Sequence, residues 1–121
     1  MSADVEALFE RARSFCLSLD NVYEKLSHGS PAFFIEKGGQ FASLWNNHHS
    51  DGNIALLLAA PPGVQESLIG SDEAVFYRPP YVGPSGWIGI RLDKTDDWAL
   101  IEDLIREGHG FIAAKCKNSR K

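Results

Sequence analysis

No stretch of this chain stays apolar for the roughly 20 residues that a membrane-crossing helix needs. The longest candidate, Ile54 to Ala60, is strand-sized. The opening MSADVEALFERARS lacks the basic-then-apolar order of a secretory signal, so a cytoplasmic protein with no membrane partner is the expectation. Cysteine is scarce: Cys16 and Cys116 stand near opposite ends of the 121 residues, which excludes a dense disulfide scaffold. A phosphate loop is missing as well, because GPSG lacks the lysine and helix start, and its proline removes a cradling N–H. Ser, His and Asp all occur, but none in a nucleophile-elbow setting. The residues therefore assign no catalytic role, no metal site and no cofactor.

Basic charge is short over most of the chain. The formal net charge is −4, yet Lys115, Lys117, Arg120 and Lys121 crowd the last seven residues, KCKNSRK. Residues 1–114 then hold 8 basic against 16 acidic residues, a formal −8. A body that acidic does not suit duplex DNA, where phosphate neutralisation needs a basic footprint. The organisation read from this is one domain over 1–114 and a basic C-terminal tail over 115–121. With 44% hydrophobic and 23% charged residues, the composition is that of a globular protein.

What is present is periodicity. Val5, Leu8, Phe9, Ala12, Phe15, Cys16 and Leu19 recur at helical spacing and predict a helix over 4–19. PAFFIEKGGQFASLW predicts a β-hairpin turning at Gly38-Gly39, with Ile35 facing Ala42 and Phe33 facing Leu44. On the other side of that ribbon would lie Phe34, Phe41 and Trp45. NIALLLAA reads as a mid-sheet strand covered on both faces. A short helix over 62–69 and a strand over 74–77 follow. Trp87 to Leu92 then alternates, with Ile88, Ile90 and Leu92 against Trp87 and Arg91. Thr95 would cap a last helix built on Trp98, Ile101, Leu104, Ile105 and Ile112, bent or frayed near Gly108 and Gly110. With a weak strand over 22–26, the order is α-β-β-β-β-α-β-β-α. The expected class is α+β, an antiparallel sheet with both long helices on one face.

Three segments resemble the MmcQ/YjbR family: LSHGSPAFFIEKGGQFASL, EAVFYRPPYVGPSGWIGIRLD, and the closing helix that begins DW. The resemblance implies a fold similar to CyaY and other frataxin-like proteins. It also implies a DNA-binding role through a double-wing arrangement of strands and loops. The chain departs from that role in its acidic body and in its Gly-Gly-Gln40 turn, where relatives often show Gly-Lys. Frataxin-like iron binding does not carry over, because Asp4, Glu6, Glu10, Asp20 and Glu24 are spread too widely for a dense acidic ridge.

Candidate binding residues lie in two places. Phe34, Phe41, Trp45, Trp87 and Arg91 would meet on the sheet face away from the helices, where aromatics and a guanidinium can hold unstacked bases or planar ligands. The same residues could instead bury a homodimer or partner-protein contact, or be covered by RPPYVGPSG folding back. That proline-stiffened loop presents Arg78, Tyr81 and Trp87, which with the tail offer a route to nucleic acid. His28, in the turn before the hairpin, reads as a backbone-bonding residue or a ligand contact. His48-His49 beside Asp51 is the most metal-like element, but adjacent strand residues point apart and a turn would be required to converge both rings on one ion, so a hydrated turn is the better reading. The functional reading is thus a binding module for nucleic acid, or alternatively for a protein or small ligand without catalysis, with an enzyme whose pocket the sequence does not show as a third reading.

Overall fold

The computed structural model describes residues 2–27, 30–46, 54–79 and 82–119, and of 2–5, 46 and 115–119 the backbone alone. The elements are α1 (Ser2–Leu17), β1 (Val22–Ser27), β2 (Ser30–Ile35), β3 (Gln40–Asn46), β4 (Ile54–Leu58), α2 (Val64–Ser71), β5 (Phe76–Tyr77), β6 (Ile88–Arg91) and α3 (Trp98–Ser119). The six strands form one antiparallel sheet in the order β1-β2-β3-β4-β6-β5. The α+β class and the element order are those the periodicity predicts. No helix among the described residues is long and apolar enough to cross a membrane.

Register carries one parity across the whole sheet. Phe33 faces Ala42, Ala42 faces Leu58, Leu44 faces Leu56, and Leu56 faces Ile90. These residues join Ala12 and Cys16 of α1 and Trp98, Ile101, Leu104 and Ile105 of α3 in one buried cluster. Each large aliphatic sealed there contributes about 1.5–3 kcal/mol. The helices also clasp each other, with the Arg11 guanidinium over Trp98 at 4.6 Å and Arg106 over Phe15 at 5.0 Å. The His109 Nε2–H of α3 donates to the Asp20 carbonyl at 2.9 Å, which pins the α1–β1 turn.

Four expectations need correction. The hairpin turns two residues earlier: Gly38 N–H bonds the Ile35 carbonyl at 2.8 Å, and Lys37, not a glycine, takes the positive φ of 62°. Its ladder is accordingly shifted, so that Phe33 faces Ala42 rather than Leu44. A register irregularity between Phe33 and Phe34 adds a residue on β3, and Phe41 turns to the helix side, where its ring meets His109 edge-on at 5.4 Å. The last helix is capped by Asp97, whose carboxylate accepts the Leu100 N–H at 3.2 Å, while Thr95 bonds only the Asp97 N–H. Gly108 does not fray α3, which continues to Ser119. A Cβ there would sit 2.6 Å from the Ala59 carbonyl oxygen, so glycine is what lets α3 approach the end of β4.

Candidate functional site

Opposite the helices, the pleat presents Tyr23 and Lys25 of β1, Ala32 and Phe34 of β2, Ser43 and Trp45 of β3, Ala55 and Leu57 of β4, and Gly89 and Arg91 of β6. The centre of this face is made of small or sealed residues: Ala32, Ser43, Ala55, Leu57 and Gly89 are all buried. Aromatic rings and cations stand around that floor.

At the β5–β6 end the face is closed. The Tyr77 ring lies against Gly89, where an added Cβ would meet ring carbon Cε1 at 2.5 Å. The Arg91 guanidinium sits 4.5 Å from the centroid of the same ring and donates through Nη1 to the carbonyls of Glu73 and Ala74, at 3.1 and 3.4 Å. Arg91 thus buttresses the turn into β5. The following loop folds inward: Pro79 is fully buried, Gly83 N–H bonds its carbonyl at 2.9 Å, and the exposed Arg78 lays its stem against Gly83. Buried Gln65 of α2 holds the loop by donating to the carbonyls of Gly83 and Trp87.

At the β1–β2 end the face is open. Tyr23 and Phe34 are cross-strand partners, their rings stacked with centroids 5.6 Å apart and planes 16° from parallel. Tyr23 is 42% exposed and Phe34 half-buried, and the exposed Lys25 places its Nζ 5.6 Å from the Phe34 centroid. The two rings form a small platform with a cation on its rim.

The candidate residues therefore separate. Phe34, Trp45 and Arg91 occupy the outer face. Trp45 and Arg91 share one cross-strand row with Ala55 between them, while Phe34 lies about 14 Å from Trp45 by strand geometry. Phe41 is sealed on the helix side. Trp87 precedes β6 rather than belonging to it, and packs against the core cluster, so it does not join Arg91. His28 and Tyr81 lie outside the described residues, as do His48, His49 and Asp51. Among the described residues no group of three His, Cys, Asp or Glu side chains converges for a metal. Cys16 is buried against the sheet, and loss of hydration pushes its thiol up to about 12.

The sequence profile of the family described as YjbR matches residues 17–110, a span that holds every strand. The chain belongs to the YjbR family. No curated protein and no solved structure matches it. In this YjbR domain the matched span includes both ends of the outer face and the inward loop between β5 and β6. Tyr23 and Lys25 escape notice in the sequence because VYEKLS alternates charge on both parities, so neither face reads as apolar. Only its pairing with the strong strand SPAFFI puts Tyr23 beside Phe34.

Proposed function

We propose that the chain is a binding module, working without catalysis, whose outer sheet face takes an unstacked base together with its phosphate. The carrying observation is the Tyr23–Phe34 platform with Lys25 at its rim. A base has a π-face that stacks on such rings regardless of sequence, and a nearby ammonium attracts the phosphate. The formal −8 of residues 1–114 weighs against duplex DNA and in favour of a ligand with few phosphates. Exposed Arg78 would add charge at the periphery, and the basic residues of 115–121 are a further source of positive charge in the sequence.

The test is fluorescence anisotropy at low salt with labelled single-stranded DNA, single-stranded RNA and duplex DNA, and with a labelled mononucleotide. We expect single strands to bind more tightly than duplex, and Tyr23→Ala and Lys25→Glu each to weaken binding about tenfold. Arg78→Ala should weaken it less. Mononucleotide binding as tight as that of the strands would identify a free nucleotide as the ligand. No affinity for any of these probes would overturn the reading.

A further inference from the structure

The two edges of the sheet are built differently. One ends in β5, a two-residue strand followed by Arg78 and the buried Pro79. The other ends in β1, six residues long, and among the described residues nothing pairs with its outer side. An edge of that length is a template for another strand unless it is bulged, shortened, interrupted by proline or guarded by charge. β1 is neither bulged nor broken by proline, its register with β2 running from Val22↔Ile35 to Ser27↔Ser30, and of its two charges Glu24 is paired with Arg13 while Lys25 lies over the Phe34 ring.

Which groups face outward follows from two hydrogen bonds. Glu36 N–H donates to the Asn21 carbonyl at 2.8 Å, so that carbonyl points toward β2. The trans peptide then turns the Val22 N–H the opposite way, and within an extended residue N–H and C=O share a side. On β2, Ile35 N–H donates to the Gly39 carbonyl at 3.0 Å, so Ile35 faces β3 and Phe34 faces β1. Both routes agree: Tyr23 and Lys25 bond β2, while Val22, Glu24 and Leu26 aim their N–H and C=O groups off the sheet.

We infer that β1 pairs with β1 of a second copy of this chain, antiparallel about a two-fold axis normal to the sheet, with Glu24 opposite Glu24. Such an axis keeps helix face on helix face, so partners must have the same parity. In this register Val22 meets Leu26 of the second copy on the helix side, and Tyr23 meets Lys25 on the outer side. Leu26, 69% exposed in the single chain, is the largest apolar liability at the edge and gains an apolar neighbour. The Tyr23 ring gains an ammonium, beside the one that Lys25 of the same chain places over Phe34. The one like-charge pair is already neutralised, because each Glu24 carboxylate accepts a 2.6 Å hydrogen bond from Arg13 Nε. The occupant is a second copy because the strand supplies its own complement: apolar opposite apolar, aromatic opposite cation, and carboxylates that arrive with their own arginines.

A five-residue ladder, Val22 to Leu26 on each copy, is a small interface, so the dimer is a weak one that forms at about 10–100 µM rather than at nanomolar concentration. The inference goes beyond the ligand reading and is separable from it, since Leu26 lies on the opposite face from the platform. Sedimentation equilibrium on the full chain from about 5 to 500 µM reads the association. Leu26→Asp is expected to raise the dissociation constant at least tenfold with the circular dichroism spectrum unchanged. Concentration-dependent amide exchange supplies a second reading that needs no variant: Val22, Glu24 and Leu26 should gain protection on association, while Tyr23 and Lys25, already bonded to β2, should not. A chain that stays monomeric throughout, or a dimer that protects other amides, overturns the inference. Strand addition by an unrelated extended peptide at the same amides, with no self-association, overturns the choice of partner.

Discussion

Leu56 and Leu57 are neighbours in β4, one 0% and the other 1% exposed, and they are sealed by different means. Leu56 lies under α1 and α3 in a continuous layer of large aliphatics that runs across four strands. Leu57 lies on the outer face between Ser43 and Gly89, where the neighbouring strands carry small residues and the Tyr77 ring lies against Gly89. One face is closed by two long elements, the other at one end only. The difference teaches where a binding surface can exist in so small a domain. Stability is concentrated under the helices, and the β1–β2 end of the other face is left to present rings and charge.

Truncating the two leucines is the strongest way to break that comparison. Leu56→Ala should cost about 3–5 kcal/mol, because helices and sheet together cannot collapse onto the void. Leu57→Ala should cost about 2–3 kcal/mol, since no helix covers that face and a side chain such as the Tyr77 ring can settle inward. Urea denaturation of both variants checks the order, and equal losses would mean that the outer cover is as rigid as the helical one.

The glycines repeat the contrast on a smaller scale. A Cβ at Gly108 meets a backbone oxygen at 2.6 Å, and one at Gly89 meets the Tyr77 ring at 2.5 Å. The distances are nearly the same but the neighbours are not. Backbone at the end of β4 cannot yield without moving the strand, so Gly108→Ala should cost about 2–3 kcal/mol. The tyrosine ring can swing, so Gly89→Ala should cost about 1 kcal/mol. Thermal unfolding of the pair separates a rigid contact from a yielding one.

Cys16 tests the helix side alone. Its folded thiol is raised from an ordinary value of 9.0 to about 12 by burial, so the folded state holds that proton more tightly than the unfolded chain does. Stability from this group is complete below pH 9 and declines as pH rises toward 12, by about 1 kcal/mol between pH 9 and 10. Cys16→Ala should flatten that decline in denaturation curves taken across the window. The native thiol should also resist alkylation at neutral pH until the protein unfolds.

The helix face was legible because two signals coincide there: helical spacing in α1 and α3, and strict alternation in Ile88, Ile90 and Leu92. The outer face was legible only in part. The added residue near Phe33 and Phe34 inverts the parity of Phe41, and nothing in PAFFIEKGGQFASLW distinguishes a turn at Lys37 from one at the glycines. Trp87 reads as a strand residue from composition, yet Gly86, with a φ of 91°, ends the preceding 3-10 turn and leaves Trp87 outside the ladder. Such departures depend on single backbone angles, which side-chain pattern does not encode. The platform was missed for a different reason: half of it sits on β1, a strand whose mixed charges conceal its two faces until β2 is placed beside it.

Tyr23→Ala is the mildest change for stability and the most telling for the outer face. The ring is 42% exposed and its stacking partner Phe34 keeps the sheet beneath it, so unfolding free energy should change by no more than about 0.5 kcal/mol. If the open end is a surface for binding, that small loss should accompany a large drop in affinity for single strands. If the open end is merely the rim of the outer packing, stability and affinity should both stay where they were. A loss above about 2 kcal/mol would mean that Tyr23 seals Ala32 and Phe34 as a core residue does, and the contrast between a closed end and an open one would have to be given up.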